Sequence, residues 1–362
     1  MNRSEFSGGR TRALFVVSST NRRGAETEGT TIATGLANRG FDIRTAALAP
    51  GTQGDQLDVP TLGPTARSLA TLRALRRGAH DVDVVVAYGS STLPACALAL
   101  FGTGVPFVYR NIGDPGDWVR GRIHQARTGV LMRRAAHVAA LWPGAAESIT
   151  KLYGVRPAHV SVISNARDSQ GWNVPNDDER SAARARFTIP SEASCVALIG
   201  ALAEEKQFDV ALRAIARLPA TFVVVAGDGP SRQQLEELSQ TELPDRVQFL
   251  GQIADVTPVL HAADVVVLSS RTEGLPGILI EAAYCGVPAV ATDVGGVREI
   301  IDDSQTGRVV AAGDVESLAK AIIEVLGRRD QMGRAARERC IDRFDIGPAL
   351  AKWEALLRTF SR

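Results

Sequence analysis

Two α/β domains, each wound on both faces of a parallel sheet, are what this sequence predicts, and three observations predict them. The chain has 362 residues, about twice an ordinary single domain. Its composition, 45% hydrophobic, 22% charged and 5% aromatic, is that of a globular protein with sizeable cores. From Ala13 onward, short β-branched runs alternate with longer segments of helical period, the pattern of βαβ units around a parallel sheet.

The elements follow in chain order. Strands are predicted near Ala13 to Ser18, Asp42 to Leu48, Val82 to Ala87, Pro106 to Arg110, His137 to Leu141 and Val160 to Ile163, with helices in the gaps. Between Ser164 and Ser194 the alternation lapses into the polar, turn-prone SNARDSQGWNVPNDDERS, and the domain boundary is placed there. It then restarts with strands near Cys195 to Gly200, Thr221 to Ala226, Val247 to Leu250, Asp264 to Ser269, Pro288 to Ala291 and Gly307 to Val310. The expected domains are residues 12–167 and 168–345. Sheets of this kind bind ligands at the C-terminal ends of their strands, so two facing sheets would form one deep inter-domain cleft.

Charge and cysteine usage narrow the function. With 41 Lys plus Arg against 40 Asp plus Glu, a net charge of +1 gives no global field for nucleic acid. Only Lys151, Lys206, Lys320 and Lys352 are lysines, an arginine preference read as compositional bias. Cys96, Cys195, Cys285 and Cys340 are far apart, show no metal-clip spacing and suggest a reduced, cytoplasmic protein. No apolar run reaches the roughly 18 residues of a membrane span. The polar stretch Met1 to Arg12 lacks the apolar region of a signal peptide.

The chemistry concentrates in Ser269 to Glu299, SSRTEGLPGILIEAAYCGVPAVATDVGGVRE. A strand leads into a loop bearing Glu273, Gly274 and Pro276, and a helix then starts at about Pro276 and carries Glu281. Proline is favoured at a helix start, where its missing N–H would be unpaired anyway. A helix that begins after a glycine loop offers backbone N–H groups and a positive dipole end to a phosphate. Two carboxylates would repel a bare phosphate, so Glu273 and Glu281 make better sense accepting from sugar hydroxyls beside it. The site reads as a nucleotide-sugar pocket, against the plainer alternative of one helix-surface and one loop glutamate. Gly295 and Gly296 fit either a functional loop or a simple turn.

The stretch E-G-L-P-x-x-x-x-E-A followed by G-V-P-A-V-A-T-D-V-G-G-V-R-E resembles the signature of the retaining glycosyltransferases of family four, the group 1 glycosyltransferases. Ile199-Gly200-Ala201-Leu202 through Glu205-Lys206, the Gly227-Asp228-Gly229-Pro230 loop, Phe249-Leu250-Gly251, Asn165 and Gly24-Ala25-Glu26 fall in family order. The resemblance implies the GT-B fold, two facing Rossmann-like domains, with a final helix, Ile346 to Phe360 with Trp353, crossing back onto the first. It implies catalytic roles for Glu273, at the transferred sugar, and Lys206, at the donor diphosphate. Donor contacts would come from Gly24, Gly200, Gly251, the segment Gly274, Leu275, Pro276, Gly277 and Ile278, and Glu281 at the ribose. The implied activity is retaining transfer from a nucleoside-diphosphate sugar to a hydroxyl acceptor, with no metal and no cofactor beyond that co-substrate. A nucleotide-sugar binder without transfer and a nucleotide-sugar epimerase of the same architecture are the alternatives.

The chain also departs from the family pattern. Ala201 stands where the family has an arginine, with Arg271, Arg298 or Arg23 as candidate replacements. Ala166 follows Asn165 in place of glycine, and a histidine common after the fourth strand is absent from Tyr109-Arg110-Asn111-Ile112-Gly113-Asp114. Arg110, Asn111 and Asp114 are candidate acceptor-side residues, presented by a Gly-Asp-Pro-Gly turn. After them, Val119, Ile123, Ala126, Val130 and Leu131 form an apolar stripe among Arg120, Arg122, Arg127, Arg133 and Arg134. The default expectation is a core-facing helix with solvated arginines. The alternative is contact with anionic lipid at the inner face of the membrane, which would bring a lipid-linked acceptor to the enzyme.

Overall fold

The computed structural model describes residues 10–22, 24–51, 56–118 and 121–361. They divide into two compact units, one running to Asn165 and resuming at Gly347, the other comprising Ala166–Ile346.

The first unit holds β1 (Arg12–Ser19), β2 (Asp42–Ala49), β3 (Val84–Tyr88), β4 (Phe107–Arg110), β5 (His137–Ala140) and β6 (Val160–Val162). They form one parallel sheet in the order β2-β1-β3-β4-β5-β6. Every residue of β3 and β4, in the middle of the sheet, is buried, because helices cover both faces there. The helix Ile346–Arg358 belongs to this unit from Gly347 on: Trp353 packs against Phe15 of β1 and Tyr88 of β3, with ring centroids 6.3 and 6.4 Å apart.

The second unit holds β7 (Ser194–Ile199), β8 (Thr221–Ala226), β9 (Val247–Gly251), β10 (Val265–Leu268), β11 (Ala289–Thr292) and β12 (Gly307–Val310). All pairs are again parallel, in the order β12-β11-β10-β7-β8-β9. Alternate residues Val196 and Leu198, Val223 and Val225, and Val265 and Val267 point to one face, where the helices Phe208–Ala216 and Val315–Gly327 complete the core. The chain direction across the sheet reverses between β1 and β3 in the first unit and between β7 and β10 in the second, which are the switch points where such sheets take ligands. All twelve strands lie within a few residues of the β-branched runs that predicted them, so the doubly wound α/β class is borne out.

The helix Arg122–Arg134 departs from expectation. Its buried residues are Thr128, Gly129 and Met132, while Ile123, Ala126 and Val130 of the apolar stripe are exposed. Val119 and Arg120 lie outside the described residues. The rotation is set by the neighbouring helix Pro143–Tyr153, whose last carbonyls need donors. Gln125 Nε2 donates to the Leu152 carbonyl at 2.8 Å and Arg133 Nη1 to that of Tyr153 at 2.6 Å. Gly129 sits between them at helical spacing, and a Cβ there would come within 3.0 Å of the same Tyr153 oxygen. Polar capping by Gln125 and Arg133, with the close approach that Gly129 permits, decides which face turns inward, and the apolar stripe turns out.

Candidate functional site

At the switch point of the second sheet, β7 and β10 end side by side and their following loops meet. Lys206, in the single turn Glu204–Lys206 after β7, places Nζ 2.6 Å from Glu273 Oε1 in the loop after β10. Ser270 Oγ donates to the same oxygen at 2.6 Å, and Ser269 Oγ to the Lys206 carbonyl at 2.9 Å. From the end of β11, Thr292 Oγ1 donates to the Ser270 carbonyl at 2.5 Å. The glutamate loop is thus held by the ends of three neighbouring strands. Its far side rests on Gly295 (φ +55°), where a Cβ would collide with the Glu273 carbonyl oxygen, and the Gly296 amide donates to the Gly274 carbonyl at 2.7 Å. The glycine pair is therefore structural support for the Glu273 loop.

Leu275 is buried beneath the loop and anchors it, and Pro276 is the N-cap of the eight-residue helix Gly277–Tyr284. Pro276 has no side chain able to cap this helix, and among the described residues the amides of Gly277 and Ile278 start it without a side-chain acceptor. Glu281 lies one turn in, where its Oε1 accepts from Arg167 Nε at 2.7 Å. Arg167 also donates through Nη1 to the Ala166 carbonyl at 3.0 Å, and its Nη2 lies over Gly277 where a Cβ would collide with it. A guanidinium therefore rests beside the opening amides of this helix. Lys206 and Arg167 each meet their carboxylate at Oε1, which leaves Oε2 of Glu273 and of Glu281 as acceptors for hydroxyl groups.

The other predicted donor residues are spread along the same sheet edge. Gly200 follows β7, Gly227 follows β8 and Gly251 ends β9; the Gly200 amide donates to Ala226 at 2.9 Å and the Gly227 amide to Gly251 at 2.8 Å. Ala201 is exposed. Of the candidate replacements for a cation there, Arg271 is exposed and reaches Glu204 only at 3.5 Å, whereas Arg298 is held by two bonds to Asp293 of 2.8 and 2.7 Å. Arg23 lies outside the described residues.

Gly24, Arg110, Asn111 and Asp114 belong to the first unit. Gly24 opens the helix Gly24–Ala37 after β1, at that sheet's own switch point. Arg110, expected to face an acceptor, is instead fully buried at the end of β4. Nη2 donates to Glu28 Oε1 at 3.0 Å and to Asn165 Oδ1 at 3.1 Å, and Nη1 to the carbonyls of Ala140, at 3.4 Å, and Ile163. Its guanidinium carbon lies 5.7 Å from the Tyr88 ring and 5.9 Å from that of Trp353. Burial opposes the charge, but Tyr88 and Glu28 outweigh it and hold the pKa above the usual arginine value. Asn111 is buried as well, its main-chain N–H donating to the Ala139 carbonyl at 3.0 Å. Asp114 shapes the turn by accepting from the Gly116 amide at 2.8 Å. Arg110 and Asn111 are thus interior residues, and the exposed part of the predicted acceptor stretch begins after them.

Arg167 and Ser270 escaped the sequence reading. Arg167 lies in the boundary segment expected only as turn, and Ser270 lies just beyond the strand expected to end at Ser269, with no role assigned to it. Among the described residues no group of three or more His, Cys, Asp or Glu is arranged to hold a metal ion.

Two family profiles match in tandem: Glycosyl transferase 4-like domain over residues 23–166, and Glycosyl transferases group 1 over residues 179–340. The two-unit fold and the Lys206–Glu273 edge therefore belong to a glycosyltransferase architecture. The chain is a member of the group 1, family-four glycosyltransferases, with the GT-B fold of that family. Among similar proteins, Mycobacterium tuberculosis glycogen synthase is 31% identical over 283 residues, 74% of this chain and 64% of its own length. The Rhizobium meliloti lipopolysaccharide core biosynthesis glycosyltransferase LpsE is 34% identical over 196 residues, 54% of this chain and 55% of its own. The chain thus spans less than two thirds of the length of either relative. In fold, Anabaena HepE in complex with UDP-glucose superimposes with a TM-score of 0.86 at 22% identity, covering 97% of this chain and 100% of HepE.

Proposed function

We propose that the chain transfers a sugar from a nucleoside-diphosphate donor to a hydroxyl acceptor with retention of anomeric configuration, and that the second unit holds the donor. The observation that carries this reading is the 2.6 Å Lys206–Glu273 pair beside the uncapped helix that Pro276 opens. Glu281 Oε2 accepts the ribose hydroxyls, and the Gly277 and Ile278 amides with the helix dipole receive the diphosphate. As the phosphate oxygens arrive, Lys206 turns its ammonium to them, and Glu273 becomes free to accept from the hydroxyls of the sugar to be transferred. The bond from the anomeric carbon to the phosphate oxygen then breaks, with its electron pair going to the phosphate. Lys206 neutralises the charge that grows there, an effect of roughly a hundred- to a thousandfold in turnover for one well-placed donor. The acceptor oxygen bonds the anomeric carbon on the face just vacated, and its proton passes to the leaving phosphate oxygen. The nucleotide-sugar is consumed as substrate, and the scheme calls on no resident cofactor or metal.

Support for a uridine nucleotide as the first donor to test comes from the HepE complexes, which hold UDP and UDP-glucose. A cytoplasmic setting is supported by four cysteines that are all buried free thiols. Among the described residues no helix is long and apolar enough to cross a membrane. For the acceptor we favour a lipid-linked hydroxyl at the inner membrane face, on the strength of the exposed basic and apolar surface of the helix Arg122–Arg134.

The test is proton NMR of the full chain with a panel of nucleoside-diphosphate sugars, UDP-glucose first, with water or added alcohols as acceptor. Release of nucleoside diphosphate, with the first-formed product keeping the donor's anomeric configuration, is the expected result. Isomerised donor in the absence of acceptor would establish an epimerase. Tight binding without sugar release at high enzyme concentration would establish a binder, and an inverted product would overturn retention.

A further inference from the structure

The apolar stripe of the helix Arg122–Arg134, turned away from the core, is part of a larger surface. Ile123 (80% exposed) and Val130 (52%) alternate with Arg127 and Arg134 at positions i, i+4, i+7 and i+11, so the four lie along one face. The neighbouring helix Thr92–Ala99 adds Leu98 (61%) and, just past its end, Phe101 (65%). The Arg134 guanidinium lies 4.6 Å from the centre of the Phe101 ring, which joins the two helices at the surface. On the other side Arg76 Nη1 of the helix Leu69–Gly78 donates to the Phe101 carbonyl at 2.8 Å. Exposed Leu69 and Arg73 stand at the same seven- and three-residue spacings from Arg76. None of these three helices contains an Asp or a Glu.

We propose that this three-helix surface of the first unit docks on an anionic lipid membrane. Phosphate headgroups match the arginines, and the boundary between headgroups and acyl chains takes Ile123, Val130, Leu98 and Phe101. Charge decides between this occupant and a second copy of the chain. A two-fold contact sets the same patch against itself and would bring arginines face to face. A lipid surface meets them with the opposite sign. The net charge of +1 makes the attraction local to this surface rather than a property of the whole molecule. The inference goes beyond sugar transfer and does not depend on it, because binding is read without donor or acceptor.

The experiment is co-sedimentation of the full chain with vesicles of phosphatidylglycerol and phosphatidylcholine, and with vesicles of phosphatidylcholine alone. Binding is expected only to the anionic vesicles and should weaken as salt rises. At about fivefold per guanidinium removed from the surface, Arg127→Gln with Arg134→Gln should cost roughly 25-fold in partition. Ile123→Ser with Leu98→Ser should cost at least about tenfold. Both pairs lie on the exposed face, so unchanged thermal unfolding shows that they still fold. Equal binding to both vesicle types, or variants that bind like the parent, would overturn the proposal. So would a concentration-dependent dimer that the serine variants abolish in the absence of vesicle binding, because a second copy would then be the occupant.

Discussion

Opposite charges meet at the strand ends of each unit, one pair in the first and two in the second, and the two units treat them in contrary ways. In the first unit Arg110 and Glu28 are 0% and 3% exposed, enclosed by Tyr88 and Trp353, with Nη1 and Nη2 also donating to Asn165 and main-chain carbonyls and Nε buried without a partner among the described residues. In the second unit Lys206 and Glu273 keep 22% and 10% exposure, and Arg167 and Glu281 keep 19% and 16%. The first pair is sealed by a side chain from the returning helix. The other two stand at a strand edge, each with a carboxylate oxygen still able to accept. A buried pair holds the fold together, because breaking it strands a charge without solvent. A pair at an open edge can exchange its partner for a ligand.

The comparison is open to direct attack. Removing Arg110 as Arg110→Ala leaves Glu28 buried without its partner and should destabilise the first unit by about 3–5 kcal/mol. That is a fall in melting temperature on the order of 10 °C, measured by calorimetry. A melting temperature within a degree of the parent would mean that the buried pair does not hold this unit. Next in size, Lys206→Ala should slow sugar transfer by roughly a hundred- to a thousandfold while leaving the melting temperature nearly unchanged, which steady-state kinetics and calorimetry together would check. Comparable loss of stability and of rate would erase the contrast between the units. Smaller still is Arg167→Ala, expected to weaken nucleoside diphosphate binding about tenfold, with partial recovery in Arg167→Lys. Tighter binding would show that Arg167 competes with the ribose for Glu281 rather than placing it.

Much of this architecture was legible because it is local. β-branched runs mark the strands, and a glycine loop followed by proline marks the start of the Gly277–Tyr284 helix with Glu281 one turn along. The residues that misled the reading depend on partners far away in the chain. Arg110 ends an apolar strand beside a strong turn signal, and nothing nearby announces that Trp353 will close over it. The helix Arg122–Arg134 carries a clear apolar stripe, yet its orientation is set by the carbonyls of Leu152 and Tyr153, which hydrophobic periodicity does not register. Arg167 lies in a segment dominated by turn formers, and its pairing shows only when Glu281 is folded beside it.

The central claim is that the open edge of the second unit, with Glu281 at its ribose end, is a nucleotide site. Its most direct test is calorimetric titration of UDP and other nucleoside diphosphates into the intact chain and into Glu281→Ala. The account expects at least one diphosphate to bind the parent and its affinity to fall about ten- to a hundredfold in the variant, with thermal unfolding unchanged. Equal affinity in parent and variant, or no binding of any nucleoside diphosphate to the parent, would contradict it.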